Sequence, residues 1–171
     1  GFKTYAGHIV ENAAALAEAC LAEGINVLTD GTDNHLLMLD VTPFGITGRQ
    51  AESAVRAAQV TLNRNTLPFD TNGPWYTSGL RVGTPALTTL GMGPAEMREI
   101  ASILKLLLSN TQASKVTKGK SAGTLSKARF STDDDALAEA RSRTAALAER
   151  YPVYPELDLE YLQSHFTHSA A

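Results

Sequence analysis

The sequence predicts an α/β fold in which a short, mostly antiparallel sheet packs against helices. Three observations lead there. Stretches with apolar residues at helical spacing alternate with short apolar runs such as INVLT and HLLMLDV. Those two runs are separated by DGTDN, whose turn-forming residues join neighbouring strands tightly, as in an antiparallel pair. Finally, 171 residues at 43% hydrophobic content supply one well-filled core.

Taken in order, residues 5–23 read as a helix with Ile9, Ala13, Leu16, Ala17, Cys20 and Leu21 on one face and Gly24 at its C-terminal cap. The two strands of INVLT and HLLMLDV follow. Thr47 and Gln50 have the spacing of a capping box for a second helix, which buries Ala51, Ala54, Val55 and Ala58. Residues 60–63 read as a third strand. TLPFDTNGPWYTSG, with two prolines and two glycines, reads as an irregular excursion. Residues 78–82 return to a strand, in which alternation turns Arg81 to the face opposite Leu80 and Val82. Gly93-Pro94 opens a long helix with Met97, Ile100, Ala101, Leu104, Leu107 and Leu108 on its stripe. Asp133, Asp134 and Asp135 place acids at the positive end of a last helix that runs to about Arg150, with Leu137, Ala140, Thr144 and Leu147 inward. The tail from Tyr151 onward is proline-punctuated and is expected on the surface or against a neighbour.

Composition divides the chain into an α/β core at 1–110, a basic Ser/Thr/Gly-rich insertion at 111–132, and a helix and tail at 133–171 that pack on the same domain. The insertion carries Lys115, Lys118, Lys120, Lys127 and Arg129 without one acid, and reads as extended or partly mobile. The segment reads as a solvated loop and not as a phosphate-binding one, because no aromatic residue is interleaved between Lys115 and Arg129 for base stacking. A net charge of -3 gives no general attraction to nucleic acid or to acidic membranes. No apolar run is long enough to span a bilayer, and no signal-peptide pattern opens the chain. The single cysteine, Cys20, excludes an internal disulfide and suits a reducing, cytoplasmic setting, where it reads as a small core residue. The opening GFKTY lacks a methionine and suggests a piece of a longer protein.

Arg81 is the first candidate for chemistry. Between Asp70 and Glu96 it is the only charged side chain, so its counter-charge comes from elsewhere in the fold, from another domain or from a ligand. An ion pair with a distant Asp or Glu satisfies it, and so does a ligand carboxylate held by two parallel hydrogen bonds. Gly79 and Gly83 leave the backbone bare on both sides, as at a close approach or a bulge. Asn63 and Asn65 share one side of an extended strand and can line a pocket that reads a polar heterocycle, or cap turns. Trp75 and Tyr76 can stack on a flat ligand or pack their loop. His35 reads as structural. His165 and His168 have metal-ligand spacing but read as an incidental pair, so no metal is expected. Nucleophile elbow, phosphate loop and dinucleotide fingerprint are all missing.

GTDNHLLMLDV, TGRQAE, TLNRNTLPFD and TSGLRVGTPALTTLGM, in that order and spacing, resemble the C-terminal small domain of serine hydroxymethyltransferase, over roughly residues 2–108, and RYPVYPELD resembles the family's ending. The resemblance implies a pyridoxal-phosphate enzyme of the aspartate-aminotransferase fold type (fold type I). Such an enzyme interconverts serine plus tetrahydrofolate with glycine plus methylenetetrahydrofolate, as a homodimer or larger assembly. It implies that Arg81 binds the α-carboxylate of serine or glycine, and that Asn65 hydrogen-bonds the folate pterin ring. Trp75 falls where the family commonly has a phenylalanine beside the folate.

The resemblance also implies what this chain lacks. The family's cofactor lysine lies in a Thr-Thr-His-Lys segment of the large domain, and none of Lys3, Lys105, Lys115, Lys118, Lys120 or Lys127 has that surrounding. The acid/base glutamate and the phosphate-binding loop belong to the same large domain. Catalytic and cofactor-binding residues are therefore expected outside this chain, which should be inactive alone. The basic insertion is longer than the common family pattern. A stand-alone interaction module of the same fold, or the small domain of another pyridoxal-phosphate enzyme such as an aminotransferase, stand as alternatives.

Overall fold

The computed structural model describes residues 1–166. The chain opens on α1 (Phe2–Ala22), whose Ala13, Leu16, Ala17 and Cys20 are buried. Leu21, expected on that stripe, is 38% exposed because it falls at the stripe's margin, and Asn12 is buried instead. Asn12 donates from Nδ2 to Thr88 Oγ1 and to the Met92 carbonyl, both at 2.9 Å, so its burial is satisfied. The helix stops as expected. Gly24 adopts φ +72, its amide reaches the Leu21 carbonyl at 2.9 Å and the Ile25 amide reaches Cys20 at 2.8 Å.

Strands β1 (Asn26–Val27) and β2 (Leu36–Asp40) form the expected antiparallel pair, with Val27 opposite Leu39. Helix α2 (Gly48–Ala57) carries the predicted capping box: the Gln50 amide donates to Thr47 Oγ1 at 3.3 Å and the Thr47 amide to Gln50 Oε1 at 2.8 Å. The third strand lies later than its apolar run suggests. It is β3 (Asn63–Asn65), whereas Val60 closes the cap of α2 by donating to the Val55 carbonyl at 3.3 Å, with Gln59 at φ +65. Val60 and Leu62 pack against the core from that connection, which is why they are apolar without being strand. The excursion after β3 contains one helical turn, α3 (Gly73–Tyr76), and leads to β4 (Gly79–Gly83).

The four strands lie in the order β1-β2-β4-β3, every pair antiparallel, so β4 is laddered on both edges. Leu37, Leu39, Leu80 and Val82 point to one face and join the buried cluster of α1, α2 and the long helix that opens at Pro94. Met38, Arg81 and Asn63 occupy one cross-strand row on the other face. A short helix not foreseen in the sequence, α4 (Pro85–Thr89), precedes α5 (Pro94–Ser109), in which Met97, Ala101, Leu104, Leu107 and Leu108 are buried.

The basic segment is more ordered than its composition suggests. It forms a hairpin of β5 (Thr111–Lys115) and β6 (Leu125–Thr132), docked on α2. Gln50 Nε2 donates to the carbonyls of Ser126 at 2.7 Å and Arg129 at 2.8 Å, and Thr47 Oγ1 donates to that of Lys127 at 2.8 Å. Ser, Thr and Lys disguised these strands, because β6 packs by alternate residues only and its other side is solvated. Helix α6 (Asp134–Arg150) starts on Asp133, whose Oδ1 accepts from the Ala136 amide at 3.0 Å. It is fastened to α5 by a forked pair, Arg143 Nε to Glu99 Oε1 at 2.7 Å and NH2 to Oε2 at 2.9 Å. The tail adds α7 (Leu159–Phe166), an element that its proline punctuation does not announce. Among the described residues no helix is long and apolar enough to cross a membrane.

Candidate functional site

The outer face of the sheet gathers several of the singled-out residues. Arg81 sits mid-ladder, opposite Met38 of β2 and Asn63 of β3, and is exposed as alternation requires. Its Nε donates to Asn63 Oδ1 at 3.2 Å. Among the described residues no carboxylate lies within ion-pair distance of the guanidinium, and its two terminal nitrogens make no hydrogen bond. An internal ion pair, one of the two readings open from sequence, is therefore not formed with any described residue. Asn65 stands two residues from Asn63 on the same side of β3. Its Nδ2 donates to the Thr66 carbonyl at 2.8 Å and lies 4.0 Å from Met38 Sδ, while Oδ1 takes no hydrogen bond from a described residue. The result is a small polar row with a fixed cationic fork and an open amide oxygen.

Trp75 belongs to a second group. It is 62% exposed, with the Arg49 guanidinium 5.3 Å and the Arg64 guanidinium 5.9 Å from its ring centre. Arg64 turns away from Asn63 and Asn65 and pairs with Glu52 at 2.7 Å. Tyr76 stands 5.9 Å from the Lys127 ammonium. Thus Arg81, Asn63 and Asn65 are brought together directly, and Trp75 lies apart from them, linked through the loop that follows β3 and through Arg64, which stands between the two asparagines.

The flanking glycines divide in role. A Cβ on Gly79 would run into the Leu67 side chain and lie 3.1 Å from the Asn65 carbonyl, so its bareness serves packing inside the chain. Gly83 meets nothing closer than 3.5 Å. The remaining candidates do not join this row. Cys20 is fully buried, and burial, helped by Glu23, pushes its thiol up to about 12, far from reactive. His35 is exposed, and His165 stacks on Tyr161 with ring centres 4.1 Å apart. His168 lies outside the described residues. Among those described, no cluster of His, Cys, Asp or Glu could hold a metal ion.

Sequence reasoning missed the group that shapes the excursion. Asp70 accepts hydrogen bonds from Leu67, Asn72 and Ser78. The signal available was an Asp set between a proline and a glycine, a pattern of side chains that bond their own backbone.

A family profile described as serine hydroxymethyltransferase matches residues 1–104. A serine hydroxymethyltransferase of Treponema pallidum is 51% identical over 170 residues, covering 99% of this chain and 29% of that protein. The chain belongs to the serine hydroxymethyltransferase family. The serine hydroxymethyltransferase of Chlamydia muridarum is 47% identical over 161 residues, and that of Chlamydia trachomatis serovar L2 49% over 162, each match covering 94% of this chain and 32% of the relative. The chain thus spans about a third of the length of these family members and corresponds to their C-terminal part. The Treponema match runs well past the profile's last residue, so the hairpin and α6 share in the similarity.

Proposed function

We propose that the chain is the C-terminal small domain of a pyridoxal-phosphate-dependent serine hydroxymethyltransferase of fold type I, in which Arg81 binds the α-carboxylate of serine or glycine. The observation that carries this is the Arg81 fork: fixed through Nε by Asn63, exposed, and without a carboxylate among the described residues. Two parallel hydrogen bonds from the terminal nitrogens would hold a carboxylate in one plane and so set the orientation of the amino acid's α-carbon. Arg81 orients and does not move protons.

Asn65 is proposed to bind the folate pterin ring, its open Oδ1 accepting a ring N–H. Trp75 would add an aromatic contact to folate from the neighbouring loop, stiffened by the two guanidinium groups beside it. Tetrahydrofolate is then the one-carbon acceptor. The family match favours this reading over an aminotransferase small domain or a stand-alone module.

This chain's residues do not fit pyridoxal phosphate itself. A lysine that carries such a group sits in a desolvated pocket. Lys3, Lys115, Lys118, Lys120 and Lys127 are exposed, and the half-buried Lys105 lies over the Phe44 ring at 5.1 Å. The proposal therefore assigns the cofactor to the large domain, with this chain as an inactive part of a cytoplasmic homodimer or larger assembly.

Arg81→Lys in the full-length enzyme tests the reading. Loss of the planar fork should weaken serine and glycine binding by about 10- to 100-fold, with the cofactor absorbance retained. Unchanged amino-acid affinity would remove Arg81 from the site.

A further inference from the structure

The segment between β3 and β4 carries no regular ladder, yet it is closed on itself by one side chain. The Asp70 carboxylate takes four hydrogen bonds. Oδ2 accepts from the amides of Leu67 at 3.1 Å and Ser78 at 2.8 Å, and Oδ1 accepts from the Asn72 amide and the Ser78 hydroxyl, both at 2.8 Å. Asn72 Nδ2 donates to Ser78 Oγ at 3.1 Å, completing a ring. Leu67 is two residues past Asn65, and Ser78 immediately precedes β4, so the clasp joins the exit of one strand to the entry of the next. Trp75 lies inside the closed loop.

The clasp also has strain to hold. Phe69 at φ 60 and Thr77 at φ 57 occupy the left-handed region without being glycine, a conformation that persists only where surroundings dictate it. Leu67, one of the clasped residues, fills the space above Gly79, opposite Asn65 in the ladder. A change in Asp70 is therefore felt at Asn65 and at Trp75. Arg81 is insulated, because it sits in the middle of β4 with a ladder on each side.

We propose that Asp70 is a positioning residue that fixes Asn65 and Trp75 relative to one another, and so governs affinity for the flat, amide-bearing folate ring while leaving the Arg81 carboxylate clamp unaffected. A carboxylate is required in this role. All four partners are donors, and an amide in its place would turn an NH2 group toward two of them.

This inference rests on the folate role of Asn65 proposed above, and the two can be separated in the full-length enzyme. Asp70→Asn should raise the KM for tetrahydrofolate about tenfold, with the KM for serine and the kcat within about twofold of the parent. Ser78→Ala, which removes one donor and keeps the carboxylate, should shift the same constant in the same direction by less. A loss that falls equally on both substrates, or on kcat alone, would overturn the proposal by showing a general structural role. So would an unchanged folate KM in Asp70→Asn when Asn65→Ala raises it. If Asn65→Ala itself leaves the folate KM unchanged, the reading beneath fails and the inference goes with it.

Discussion

Arg81 and Asn63 face each other across the β3–β4 ladder, and the amide oxygen of one fixes the guanidinium of the other at 3.2 Å. The pairing leaves the cation's charge unbalanced while restricting its orientation. A neutral partner suits that task, since it holds the group without competing for it.

The same pairing yields a prediction for Asn63. Asn63→Asp keeps the shape but supplies a carboxylate beside Arg81, which would then compete with the ligand. Serine and glycine binding in the full-length enzyme should weaken by about tenfold or more, whereas Asn63→Ala, which only loosens the fork, should cost less. Titration of the cofactor absorbance with glycine measures both. An Asp variant that binds glycine as tightly as the parent would contradict the assignment of the fork.

Gln50 is fully buried and serves α2 and the hairpin together. Gln50→Ala should destabilise the fold by about 2–4 kcal/mol, combining a lost cap with two carbonyls left unpaired. Urea unfolding gives the total. Hydrogen exchange should show faster opening of β6 than of β2, whereas uniform acceleration would mean that Gln50 supports the fold without specifically anchoring the hairpin.

Acid should loosen α6 before the sheet. The Glu96 carboxyl is held below its usual range by hydrogen bonds from the Gly93 amide at 2.9 Å and the Tyr151 hydroxyl at 2.7 Å, against the opposing effect of burial. Glu99 is lowered by its fork to Arg143. Because both folded values lie below the unfolded ones, their stabilisation is present above the ordinary carboxylate pKa and is lost as pH falls through the lowered values. In Glu96→Gln the acid-dependent part of stability should shrink. Equilibrium unfolding at several pH values below 5 reads it, and an unaltered slope would remove Glu96 from the linkage.

The longer helices α1, α2, α5 and α6 are legible in the sequence because their signals are local, whereas α3, α4 and α7 are not. A capping box, a C-terminal glycine and a proline in the first turn each act within a few residues, and Thr47, Gly24 and Pro94 behave as their spacing implies. Strands depend on partners. β3 was displaced because Val60 and Leu62 owe their apolar character to a helix cap and the core, and β6 was hidden because only alternate residues are covered. The candidate site divides the same way. Alternation alone put Arg81 on the outer face, but the register that sets Asn63 against it, and the ring of bonds around Asp70, depend on residues brought together by folding.

Strand order has a mechanical consequence. With β4 stitched along both edges, any pull exerted through Arg81 is shared by two neighbouring ladders instead of peeling a lone border strand. Traction at that residue therefore moves the sheet as one stiff plate.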